Sequence, residues 1–137
     1  MLVHATALDI AGLGVLILGP SGAGKTDFAL RLIAEGALLV ADDQSSVEMR
    51  GDELWATAPA KIVGLMEARG IGILPAAIKR ATRLAVAVQL TAKPERMPAR
   101  RGWSLPGSAV QIPLLELSPF EASAPAKLRF ALGSPAA

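Results

Sequence analysis

Residues 19–26 read Gly-Pro-Ser-Gly-Ala-Gly-Lys-Thr, a complete G-x-x-x-x-G-K-[ST] loop. The apolar run Val15-Leu16-Ile17-Leu18 precedes it, and an amphipathic helical stretch follows. A strand that turns through glycines into a helix is the setting in which this string builds a phosphate cradle. Gly19, Gly22 and Gly24 carry no Cβ, so the chain can turn tightly and bring its amides against oxygens. The helix start adds free N–H groups and the positive end of its dipole. Lys25 supplies a mobile charge to the outer phosphates, and the Thr26 hydroxyl is placed to ligate a bridging magnesium ion. Gly19, Pro20, Ser21, Gly22, Ala23, Gly24, Lys25 and Thr26 are therefore expected to hold ATP or a similar polyphosphate.

Composition bounds the rest. A chain of 137 residues suffices for one domain with a modest core. We expect a single phosphate-loop catalytic domain over 1–132 and a disordered tail over 133–137. Hydrophobic residues reach 52%, yet the longest charge-free apolar run, 10–18, is too short to span a bilayer. No basic segment leads into an apolar one at the start, which argues against secretion. Cysteine is absent, so disulfides, thiolate nucleophiles and cysteine metal sites are excluded. A cytoplasmic protein is expected, without membrane association. The formal net charge is only +2. One basic concentration runs over 96–101, with Lys93 just before it. Aromatic residues are 4% and tyrosine is missing, which supplies a nucleic-acid stacking platform poorly. An anionic substrate or an acidic protein suits that loop at least as well.

Along the chain, 3–9 reads as a first strand, 11–12 as a turn and 15–18 as a second strand. The spacing predicts a helix over 25–35, stopped by Gly36 at C′. A short buried strand at 38–41 runs straight into Asp42-Asp43. So tight a strand–helix–strand return places the two strands parallel, with their carboxyl ends on one sheet edge. The glycine loop and the two aspartates are thereby expected side by side, where ligands bind in open α/β sheets. Residues 47–55 read as a hairpin turning at 50–52. Residues 59–69 read as a second helix, with Pro59 in its first turn and Gly70 at its end. Further strands are expected at 71–74, 84–90, 110–112, 114–117 and 128–132. The stretch 91–107 reads as a long polar loop.

Asp42 and Asp43 can divide two jobs, one orienting a magnesium shell and one accepting a proton from an attacking hydroxyl. Two solvated carboxylates at a strand end are the plainer alternative, which their place beside the loop outweighs. Glu67 and Arg69, before Gly70-Ile71-Gly72, can serve a metal and a phosphoryl group; taken alone, an ordinary helix end explains them better. His4 lies in an apolar strand, where a satisfied histidine is the plain reading. Trp55 and Trp103 read as packing anchors.

Taken in order, these pieces resemble the catalytic domain of bacterial HPr kinase/phosphorylase. The resemblance rests on His4, the segment Asp9-Ile10-Ala11-Gly12-Leu13-Gly14-Val15, and the loop with Lys25-Thr26-Asp27. It continues through Leu39-Val40-Ala41-Asp42-Asp43, Ala58-Pro59 and Glu67-Ala68-Arg69-Gly70-Ile71-Gly72-Ile73. It implies an α/β fold with the core of the HPr kinase and PEP carboxykinase type, a mixed sheet with flanking helices. It implies ATP and Mg2+ as cofactors, and an HPr-like phosphocarrier protein as substrate. A homo-oligomer, hexameric in the family, is also implied. Lys25 would bind phosphate, Thr26 and Glu67 would be magnesium ligands, and Asp43 would accept the serine proton with Asp42 beside it. His4, Arg69 and Arg96 would join the active site, Arg96 by handling the moving phosphoryl group.

The sequence also departs from the pattern. Pro20 stands where an acidic residue is usual, and the match decays beyond Pro113. The segment associated with dephosphorylation is not recognisable over 117–126. The family's separate N-terminal domain and closing helices are expected to be missing, as in short alphaproteobacterial forms. Kinase activity therefore carries over better than phosphorylase activity. Two alternatives stay open: a nucleotide-sensing regulatory module with little turnover, and a small-molecule kinase.

Overall fold

The computed structural model describes residues 1–20 and 22–133. Eleven strands and two α-helices occur among them. Strands β2 (Ala5–Ile10) and β3 (Leu13–Leu18) form a tight antiparallel hairpin. Helix α1 (Lys25–Ala34) follows the glycine loop, and β4 (Leu38–Ala41) follows the helix. The helix ends as the Gly36 signal predicts. The Gly36 amide donates to Ile33 and the Ala37 amide to Leu32, at 2.9 and 3.1 Å, the paired bonds of a Schellman stop.

β4 runs parallel to β3, as expected, but does not touch it. β2 lies between them and is antiparallel to both. The carboxyl ends of β3 and β4 and the start of β2 therefore share one rim. β9 (Ala81–Leu90) pairs parallel with β3, and β11 (Ile112–Leu117) pairs parallel with β9. Their carboxyl ends reach the same rim. β10 (Arg101–Trp103) pairs antiparallel with β11, so the stretch expected as a loop over 91–107 contains a strand.

The first residues of β9 leave this array and pair with β6 (Glu53–Thr57), which pairs with β5 (Ser45–Arg50), which pairs with β1 (Leu2–Val3). The result is one curled mixed sheet of nine strands. The expected first strand is broken at His4, where the chain passes from β1 to β2. Gly14 sits where β9 changes partners; a Cβ there would meet the Arg83 carbonyl oxygen at 2.5 Å.

Alternation along each strand divides the apolar residues between two cores. Leu8, Val15, Ile17 and Val88 face the helices and pack with Phe28, Leu32 and Leu128. Ala7, Leu16 and Ala87 face the other way and pack with Val47, Leu54 and Ile112.

Further expected elements are corrected. The two strands expected at 110–112 and 114–117 are one continuous strand, β11. The helix predicted over 59–69 is a 3₁₀ turn at Ala60–Ile62 followed by β7 (Leu65–Ala68), which pairs with β8 (Gly72–Pro75). Gly64, with φ +75°, interrupts any helix. Met66 and Ala68 are buried while Leu65 and Glu67 are exposed, a period of two rather than 3.6. The strand predicted over 128–132 is part of helix α2 (Ala124–Gly133). Pro125 suits its first turn, and Leu128 and Leu132, four apart, both pack on the helix-side core. Residues 134–137 of the expected tail lie outside the described residues.

Candidate active site

Five chain segments converge on the shared rim. The glycine loop leaves β3, with Gly24 at the N-cap of α1 (φ +97°) and no side chain capping the helix. A Cβ at Gly24 would stand 3.2 Å from the Pro119 ring, so the turn after β11 closes against the loop. Ser21 lies outside the described residues. The Ala23 amide donates to the Pro20 carbonyl at 3.0 Å, and the Phe28 amide donates to the Gly24 carbonyl at 2.9 Å. The loop is thus a closed turn that feeds directly into the helix.

Lys25 is the first helical residue and is only 5% exposed. Its Nζ donates to the carbonyls of Gly19 at 2.6 Å and Pro20 at 3.1 Å. It also stands 3.5 Å from Asp43 Oδ1. A buried ammonium has to be paired, and here the loop backbone and Asp43 share that task.

Asp43 is reached from the opposite side by His4, whose Nε2 lies 2.9 Å from the same Oδ1. A carboxylate oxygen accepts, so Nε2 carries the proton in this contact. Both side chains are about half exposed. Asp43 has φ +64°. The Gln44 amide donates to the Asp42 carbonyl at 2.7 Å, which closes an i→i+2 turn around Asp43 of the rare, strained kind. Such a conformation costs on the order of 1–3 kcal/mol and clusters at functional sites.

Asp42 points into the rim. Its Oδ1 receives Thr6 and Thr26 hydroxyls, each at 3.5 Å, and its Oδ2 accepts the Glu67 amide at 3.1 Å. Burial raises its carboxyl above the ordinary carboxylate range, and the neighbouring Asp43 charge adds to the rise. The Glu67 amide and the Thr26 and Thr6 hydroxyls oppose it.

A cleft of about 230 Å³ opens here, lined by Asp42, Asp43 and Glu67 together with the apolar side chains of Ile62, Leu65 and Ile73. A larger groove, about 870 Å³, runs between β11 and α2, and no predicted site residue lines it.

The structure brings together Lys25, Thr26, Asp42, Asp43 and His4, and draws Glu67 in through its backbone. Arg69 and Arg96 are both exposed. Arg69 lies at the β7–β8 turn, and Arg96 lies in the loop leaving β9; among the described residues neither joins the network. Thr6 was missed. Its one local mark is a hydroxyl in an otherwise largely apolar strand. Pro119 had no sequence signal at all.

The family model of the HPr serine kinase C-terminal domain matches residues 1–101. The chain belongs to the HPr serine kinase C-terminal domain family. It is 48% identical over 73 residues to the HPr kinase/phosphorylase of Limosilactobacillus reuteri, a stretch that is 53% of this chain and 23% of that protein. It is 38% identical over 109 residues to the HPr kinase/phosphorylase of Brevibacillus brevis, 73% of this chain and 35% of that one. The chain thus spans about a quarter to a third of the length of these relatives. In three dimensions it is similar to the Hpr(Ser) kinase/phosphatase from Coxiella burnetii. The TM-score is 0.81 at 26% identity, over 96% of this chain and 93% of that chain. The curled mixed sheet is therefore the family's fold.

Proposed function

We propose that this chain is an ATP-dependent protein-serine kinase domain acting on an HPr-like phosphocarrier protein. The observation that carries the reading is the placement of Asp43. Its carboxylate lies half exposed at the mouth of the glycine loop, held by His4 on one side and Lys25 on the other.

The residues fit a nucleoside triphosphate. Uncapped amides at the start of α1 and the buried Lys25 ammonium supply donors and positive charge for phosphate oxygens. They fit magnesium as well. Among the described residues no cluster of three or more His, Cys, Asp and Glu could hold a metal by itself. The Thr26 hydroxyl and the Glu67 amide both contact Asp42; the two residues offer sparse oxygen ligands, and magnesium usually completes such a set with phosphates and water. When bound, the ion would neutralise charge on the outer phosphates.

In the proposed step the acceptor hydroxyl oxygen attacks the γ-phosphorus and gives up its proton to Asp43. The new O–P bond forms as the bond to the bridging oxygen breaks, and ADP leaves with that electron pair. Lys25 and the loop amides hold the phosphates in line. His4 keeps the Asp43 carboxylate turned toward the acceptor.

The test is incubation of the purified chain with ATP, Mg2+ and purified HPr-like phosphocarriers, read by intact mass. A gain of one phosphate on a serine of the carrier is expected. Binding of ATP with no transfer to any carrier overturns the proposal.

A further inference from the structure

Thr6 is fully buried in β2. A buried hydroxyl needs partners, and both of those found for this one belong to the aspartate pair. The Asp43 amide donates to Thr6 Oγ1 at 3.0 Å, and Thr6 Oγ1 donates toward Asp42 Oδ1 at 3.5 Å. A hydroxyl has one proton and two lone pairs, so it can serve both at once. The register that pairs Ala7 with Ala41 carries Thr6 opposite Asp42. The contact therefore crosses from β2 to the turn after β4. The amide it holds is that of the residue with φ +64°. Such a backbone persists only where its surroundings over-determine it, and Thr6 supplies the tether from outside the turn.

We propose that Thr6 is a positioning residue for phosphoryl transfer: its hydroxyl pins the Asp43 turn to β2 and so fixes where the Asp43 carboxylate meets the acceptor hydroxyl. This role rests on the kinase reading above. Among the described residues the hydrogen bonds of Thr6 go to the aspartate pair and not to the glycine loop or Lys25, so the role assigned to it is in the transfer step rather than in nucleotide binding. Valine matches threonine in shape and strand preference but lacks the hydroxyl, whereas serine keeps the hydroxyl and loses a methyl group.

The experiment uses the full chain with ATP, Mg2+ and the HPr-like phosphocarrier. It reads kcat, KM for ATP, the thermal midpoint and hydrogen exchange at the Asp43 amide. Thr6→Val is expected to lower kcat about tenfold or more while KM for ATP stays within about twofold. The Asp43 amide is expected to exchange faster in the same variant. Thr6→Ser is expected to restore kcat to within about threefold of the parent. A Thr6→Val variant as fast as an active parent, with Asp43 exchange unchanged, overturns this role alone. A drop in kcat matched by a drop in ATP affinity, or one that Thr6→Ser shares together with a lowered midpoint, overturns it as an effect on the fold. No transfer by the parent overturns the kinase reading and this role with it.

Discussion

Asp43 and Asp42 are neighbours in sequence with opposite surroundings. Asp43 is half exposed between two nitrogen donors, while Asp42 is desolvated and receives two hydroxyls and an amide. The division of labour proposed for them follows from that difference, not from their residue type. Lys25 keeps the Gly19 and Pro20 carbonyls as partners if the Asp43 charge is removed. Asparagine tolerates the left-handed backbone at this position and keeps the side chain's shape, but it cannot accept the proton. Asp43→Asn is expected to cut the transfer rate by about 10²–10⁴-fold with ATP affinity nearly intact. Rapid-mixing transfer assays beside equilibrium nucleotide titration would check this, and equal losses in both would contradict the assigned role. At this scale the sequence was informative because one motif anchored the others. Lys25, Thr26, Asp42 and Asp43 could be placed from the glycine loop and a single tight return. Thr6 could not, since a hydroxyl in an apolar strand does not announce the register that sets it opposite Asp42.

Elements were readable where a start or stop signal had a backbone mechanism behind it. The glycine loop opened α1, and Gly36 closed it. The β5–β6 turn fell at Gly51-Asp52, inside the predicted 50–52. At 59–69 the sequence reading passed over Gly64, whose positive φ ends any helix there, and at 128–132 the apolar stretch is too brief for its period to separate strand from helix. The β2–β3 turn shows a sequence that is workable but not ideal. Ala11 has φ +51° and Gly12 φ +90°, so both central residues sit at positive φ, as a type I′ hairpin turn requires. Alanine pays a steric penalty there that asparagine largely avoids. Ala11→Asn is expected to raise stability by about 0.5–1 kcal/mol, read as a shifted urea midpoint with an unchanged slope. The turn lies at the end of the hairpin away from the aspartates, so transfer kinetics should not move. A midpoint at or below the parent's would show that the turn is held by its neighbours rather than by its own residues.

The curl of the sheet was the least readable feature, because it depends on one strand changing partners. β9 looks from sequence like any buried strand, yet it pairs with β3 and β11 along its second half and with β6 at its start. Asp9 is the side chain that locks this junction. It is 3% exposed. It accepts the Gly12 amide at 2.9 Å from the β2–β3 turn, Lys79 Nζ at 2.9 Å from the segment before β9, and the Thr82 hydroxyl at 2.7 Å from β9 itself. Burial alone would raise its carboxyl, but the Thr82, Lys79 and Gly12 donors together more than reverse this and hold it below the ordinary value of 3.8. A carboxylate whose folded value is depressed contributes stability that is fully present above its unfolded value and is lost as pH falls through the folded one. Asp42 has the opposite sign. Its raised value means that its desolvated charge costs stability near neutrality, a cost relieved as the group protonates. Stability should therefore rise as acidification first protonates Asp42, then fall once pH drops below about 3.8 and Asp9 follows. Asp9→Asn should remove the second limb. Asparagine cannot offer Lys79 a charge, and its amide group faces donors. The loss at neutral pH is expected to be about 2 kcal/mol, at the lower end because Lys79 itself reaches solvent. That corresponds to a midpoint lower by about 6–10 °C. Thermal melts of parent and variant across the acid range would check the sign. If the parent and Asp9→Asn lose stability in parallel below 3.8, Asp9 is not the group that joins the two arms of the sheet.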